Sequence, residues 1–183
     1  MQQIELIKIA LSSSVIAGIV SAIVSYFITL KLKKYDFKTE YFKEILKKRL
    51  TAYQYIENQI GILKGVVIDD DRKSYHLIFD NGETKFLEYQ QNLFIAISYS
   101  LWIDDETVKD LEKLNSLFFN LNNHVHDKNN DEIVMIGKEY YQRISDLRFK
   151  LENSVKRGLY NLHDVKKAFR TKKKNEKRFV YEE

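Results

Sequence analysis

Cysteine is absent from the 183 residues. That excludes a disulfide scaffold, a thiolate-ligated zinc site and thiol catalysis, and it fits a reducing compartment. Proline is absent too, and there are 6 glycines. Pro-rich linkers, collagen and a turn-dense all-β fold are thereby ruled out. Histidine occurs four times, as His76, His124, His126 and His163. No phosphate-binding glycine loop, zincin helix or serine-hydrolase elbow is written in the chain. No cofactor is implied. What is present in quantity is apolar and charged: 44% hydrophobic and 31% charged residues. A packed core is affordable, with room for one domain and a small appendage.

The net charge of +4 says little as a total. Its distribution says more. Residues 166–183 carry Lys166, Lys167, Arg170, Lys172, Lys173, Lys174, Lys177 and Arg178 against three glutamates, a net of +5. The other 165 residues sum to −1. Three readings of this basic tail stay open. It binds anionic lipid headgroups, it contacts RNA phosphates, or it is a solvated charge run.

Residues 9–30, IALSSSVIAGIVSAIVSYFITL, contain no charge. As a helix they reach about 33 Å, enough for a hydrocarbon core of about 30 Å. A cleavable signal is the rival, but its apolar region is shorter and follows a basic flank. Here only Lys8 and Glu5 lie upstream as charges. The expectation is a retained transmembrane helix within residues 1–34. Lys31, Lys33, Lys34, Lys38 and a further basic group from Lys43 to Arg49 follow it. The positive-inside rule puts the C-terminal side in the cytoplasm. Six serine and threonine hydroxyls occupy the span, and Ser14, Gly18, Ser21 and Ser25 fall on one helical face. Such a stripe suits close helix–helix packing or, in an oligomer, the lining of a wet pore. It is also compatible with an ordinary anchor.

Beyond the span, residues 35–165 read as a cytoplasmic helical bundle. Phe42, Ile45, Leu46, Leu50, Tyr53, Ile56, Ile60 and Leu63 recur at spacings of three and four, so a helix over 41–64 is expected, continuing almost unbroken from the membrane. Residues 66–85 are irregular and form either a short hairpin, with Tyr75 to Phe79 as second strand, or an exposed loop. A helix from Phe86 to Leu101 would turn Leu87, Leu93, Phe94, Ile97 and Leu101 inward. Asp104 or Asp105 caps the next, whose face is Val108, Leu111, Leu114, Leu117, Phe118 and Leu121. A last long helix starts near Asp131, with Ile133, Ile136, Tyr140, Ile144, Leu147, Leu151 and Val155 inside. The fold class is all-α: four to five helices in an up-and-down arrangement.

Metal sites are not expected. Asp69, Asp70 and Asp71 are consecutive and lack a partner cluster, so they read as a solvated acidic loop. His124 and His126 are spaced by two, which splays them apart on a helix. One constellation remains: Arg157 and His163, five residues between them, with Asn161. An arginine holds a phosphate through its planar fork, and a histidine serves as acid or base near neutrality. Such a set suits RNA cleavage by 2′-hydroxyl attack. The alternative is a helix end at which cations are favourable. Gly158, directly after Arg157, is expected to loosen the helix.

Arg157, Asn161 and His163 late in a helical domain resemble the R-x(4–6)-H motif of HEPN domains. With one N-terminal span, the architecture resembles the small membrane accessory proteins encoded beside type VI-B CRISPR RNA-targeting effectors. The resemblance implies a HEPN-like bundle in a bacterial inner-membrane protein. It implies a homo-oligomer, forming a membrane pore, that enhances RNA-guided antiphage immunity by compromising the membrane. It also implies that no nuclease chemistry is required. Two alternatives stand beside it. One is a membrane-tethered HEPN ribonuclease using Arg157 and His163, with a second copy supplying the second motif. The other is a non-catalytic membrane-anchored adaptor.

Overall fold

The computed structural model describes residues 2–163, and within the first helix the side chains at 3–5, 7–8 and from 16 onward. The chain is mostly helical. The order is α1 (Gln2–Lys64), β1 (Val66–Ile68), β2 (Ser74–His76), a 3₁₀ turn (Leu77–Phe79), α2 (Gly82–Ser98), a second 3₁₀ turn (Ser100–Trp102), α3 (Asp105–Val125) and α4 (Asn130–Tyr160). Two compact units divide it, Met1–Glu44 and Ile45–Glu183.

The first unit is helix at every described residue, from Gln2 on. With no Pro, and no Gly between Gly18 and Gly61, nothing interrupts α1 where the apolar span gives way to lysines. The helix is long and apolar enough to cross a membrane. Its most apolar 18-residue stretch has a mean hydropathy of 1.6, and none of that stretch is buried. Ile16, Ile19, Ile23, Phe27 and Ile28 are all exposed. Gly18, Ser21 and Ser25 are exposed too. The side chain of Ser14 lies outside those described.

The second unit has a single core. From α1 it takes Ile45, Ala52, Tyr53, Ile56, Ile60 and Leu63. Phe42 and Leu50, expected inside, are exposed. Arg49 takes the inward position at this turn, and Leu50 is rotated about 100° from it. α2 begins four residues earlier than expected and buries Phe86, Tyr89, Gln90, Leu93 and Ala96. Phe94, one step off that face, is half exposed, and Leu101 falls outside α2 and is exposed. α3 buries Leu111, Leu114, Leu117, Phe118 and Leu121 of the expected face and adds Thr107 and Val125, while Val108 packs against the core half-buried. Of the expected α4 face, Ile133, Ile144, Leu151 and Val155 are buried, while Ile136, Tyr140 and Leu147 pack against the core half-buried. A run of rings, Phe79–Phe86–Phe118–Tyr89, with centroids 5.7, 5.6 and 4.7 Å apart, links the 3₁₀ turn to α2 and α3.

Residues 66–76 adopt the hairpin alternative. β1 and β2 are antiparallel, with Val67 opposite Tyr75. The second strand is shorter than expected, because Leu77–Phe79 coils into a 3₁₀ turn that delivers Ile78 and Phe79 to the core. Asp80-Asn81-Gly82 then turns the chain into α2. Tyr75 donates to Asp80 (2.6 Å), which pushes its hydroxyl up to about 12. Gly82 sits at φ 72°, a left-handed conformation that favours glycine. Asp104 caps α3 by accepting from the Glu106 and Thr107 amides. Asn129 and Glu132 form a reciprocal capping box at the start of α4.

Candidate functional site

α4 places Arg157 in its last turn, and the chain leaves the helix through Asn161. The Arg157 guanidinium donates to Glu106 Oε1 of α3 at 2.7 Å and to Ser154 Oγ at 3.4 Å. Asn161 Nδ2 turns back onto the Arg157 carbonyl (3.0 Å), satisfying a helix-end acceptor. His163 is exposed and makes no hydrogen bond among the described residues. The three motif residues are therefore occupied separately: an ion pair, a C-terminal cap and a solvent-facing ring. They are not joined by hydrogen bonds into one constellation.

Beneath Arg157 lies a polar knot that the sequence reading missed. Arg49, 3% exposed, donates to the Trp102 carbonyl (3.3 Å) and to the Leu162 carbonyl. Tyr53 donates to Asp104 Oδ2 (2.6 Å), which also accepts from Thr107 Oγ1 (2.7 Å). Burial raises the Tyr53 hydroxyl well above its ordinary range, and the Asp104 carboxylate adds to the shift. Gly158 is buried against the same groups. A Cβ there would collide with the Tyr53 hydroxyl and Asp104 Oδ2. The glycine does not loosen α4, which continues through it to Tyr160; it lets α4 come close to α1. The signal for the knot was Arg49, a charge on the inward spacing of 45, 49, 52, 56.

The three consecutive aspartates are not a freely solvated loop. Lys138 of α4, with its side chain 8% exposed, meets Asp69 Oδ2 at 2.6 Å and Asp71 Oδ2 at 3.0 Å. The lysine holds the Asp69 carboxyl below its usual range, and the Lys73 amide and Lys138 do so for Asp71. A side-chain ammonium thus sits where a bound cation would.

His124 and His126 serve different partners. His124 Nδ1 is 3.0 Å from the Asn120 carbonyl. His126 places Nδ1 3.0 Å from Glu83 Oε1 and Nε2 3.3 Å from Asp127 Oδ2. The three ligand atoms lie within 4.8 Å of one another. With a carboxylate on each ring nitrogen, the protonated ring is favoured: Glu83 first, then Asp127, raises its pKa.

One further pair was not legible. His76, 1% exposed, lies with Nε2 3.2 Å from Ser145 Oγ, and the Tyr141 ring lies 5.0 Å from its own. Burial lowers its pKa, which favours the neutral ring. Among the described residues Nδ1 finds no hydrogen-bond partner, and no carboxylate is paired with the ring. The basic tail, Lys166, Lys167, Arg170, Lys172, Lys173, Lys174, Lys177 and Arg178, lies outside the described residues.

No family model matches this chain, and neither a curated protein nor a solved structure is significantly similar to it.

Proposed function

We propose that the chain is a single-span inner-membrane protein that assembles with its own copies and acts by compromising the membrane, with the second unit as a HEPN-like cytoplasmic module. The observation that carries this is the uncovered apolar helix. Its stretch of mean hydropathy 1.6 has no buried residue, so lipid or sister helices are needed to remove it from water. The lysines after the span support a cytoplasmic second unit. Ser14, Gly18, Ser21 and Ser25 supply the contact face between copies or the wall of a pore.

The link to antiphage defence rests on the resemblance to type VI-B CRISPR accessory proteins. In that setting an RNA-guided effector triggers the membrane event. Membrane action is favoured over RNA cleavage because Arg157 is engaged by Glu106 and Asn161 by the helix end, while His163 has no hydrogen-bonded partner among the described residues.

The test is entry of a membrane-impermeant dye into cells that express the protein with an activated type VI-B effector. Influx is expected only when both are present. Intact membranes during effective defence would overturn the proposal, and cleavage of single-stranded RNA by purified protein, lost in Arg157→Ala, would replace it with the ribonuclease reading.

A further inference from the structure

The part of α1 that follows the apolar span is uncovered as well. Eight of the fourteen residues at 31–44 are charged, so this stretch belongs in water rather than in hydrocarbon. Yet Leu32 is 56% exposed, Tyr35 68% and Phe42 38%. Phe42 is a residue whose spacing predicts an inward position. Lipid does not reach these side chains, and leaving them in water forgoes their burial.

Their order along the helix shows what kind of surface covers them. Ile28, Leu32, Tyr35, Thr39 and Phe42 follow one another at intervals of 4, 3, 4 and 3. The same seven-residue phase runs upstream through Ser25, Ser21 and Gly18. No charge falls on this seam from 18 to 42, although charges crowd the helix beside it after Leu30. α1 is unbroken over the whole stretch. A straight helix drifts about 20° per heptad from such a repeat, so a seam kept to sevens matches another helix wound around it with a left-handed supercoil.

The flanks of the seam select the partner. Lys31 and Asp36 stand at its two edges, the g and e positions of the heptad, and neither has an ion partner among the described residues. Five residues apart, they do not face each other within one helix. Between parallel helices in register, a g residue of one meets the following e residue of the other, so Lys31 of each copy meets Asp36 of its sister. Copies threaded through one membrane in the same direction are parallel without further constraint. We infer that Leu32, Tyr35, Thr39 and Phe42 pair with the same residues of a second copy, as a short parallel coiled coil just outside the lipid. The inference rests on the single-span topology and self-association proposed above, and it adds a contact beyond the span. Lys38 and Lys43, the next pair of this kind, are like-charged, so the attraction is confined to the end nearer the membrane.

Single cysteines in the otherwise cysteine-free full chain, oxidised in native membranes and run on non-reducing gels, test it. Tyr35→Cys and Thr39→Cys are expected to form a disulfide-linked dimer. Phe37→Cys, about 200° around the helix from Tyr35, is expected to stay monomeric. All three positions lie outside the packed core, so the fold is kept. In the Tyr35→Cys background, Lys31→Glu lowers the dimer yield and adding Asp36→Lys restores it; Lys43→Glu raises it by giving Lys38 an opposite charge. Equal crosslinking from Phe37→Cys, or no recovery in the double charge reversal, would overturn the contact. A dimer from Ser21→Cys with none from Tyr35→Cys or Thr39→Cys would overturn it too, while leaving self-association within the span intact. Crosslinking along the seam without dye influx would support the contact and remove the membrane action instead.

Discussion

Gly158 lets α4 approach the Tyr53–Asp104 hydrogen bond, and its replacement is the sharpest probe of that contact. Gly158→Ala should lower stability by about 1–3 kcal/mol, the usual cost of overpacking, read as a fall in Tm. Arg157→Ala should cost less than about 1 kcal/mol, because its partner Glu106 is exposed and the pair is screened. A larger loss from Arg157 than from Gly158 would reverse the roles assigned here. Acid provides a second test. Asp69 and Asp71 have lowered pKa values in the fold, so their pairing with Lys138 supports stability above the ordinary carboxylate range near pH 4. That support is lost as pH falls through the depressed folded values. Lys138→Met should therefore flatten the acid limb of a stability–pH profile below about pH 4. A variant with the wild-type acid limb would show that the pairing contributes nothing.

Two glycines in helices make opposite predictions at the scale of the element. A Cβ at Gly137 of α4 would stand 2.7 Å from the Phe79 ring, so Gly137→Ala should push the first 3₁₀ turn off α4 and lower Tm. Gly61→Ala meets open space and should raise Tm, adding about 0.5–1 kcal/mol. Thermal unfolding of the two variants side by side checks both signs. The helices themselves were legible because their apolar residues recur at three and four: α3 buries Leu111, Leu114, Leu117, Phe118 and Leu121, as the spacing indicates. What spacing alone could not decide was which of two adjacent residues turns inward. Arg49 goes inside and Leu50 outside because two backbone carbonyls reward the buried guanidinium. Leu93 is buried and Phe94 is not because only Leu93 continues the face of Phe86, Tyr89, Gln90 and Ala96, and Phe94 is turned about 100° from it. The hairpin was one of two readings, since three-residue strands carry almost no period. Lys138 could not be matched to Asp69 and Asp71 because more than 60 residues separate them in sequence and only the packing of α4 on the hairpin joins them. Of the candidate site, the residue types at 157, 161 and 163 were legible, but their separate partners depend on where α3 begins.

For the whole molecule the long apolar helix at the N-terminal end is decisive. Replacing Ser14, Gly18, Ser21 and Ser25 together with leucine should leave insertion intact and abolish dye influx, because the small face is closed to sister helices or to water. Loss of insertion, or undiminished influx, would count against the role of that face. The most direct measurement exploits the absence of native cysteine. Ser21→Cys and Ile23→Cys put a single thiol on nearly opposite faces of α1, about 200° apart. After oxidation in native membranes, the account predicts that both variants remain in the carbonate-resistant membrane fraction and that Ser21→Cys alone forms a disulfide-linked dimer. Recovery of the protein as a freely soluble monomer, or equal crosslinking from the two faces, would contradict it.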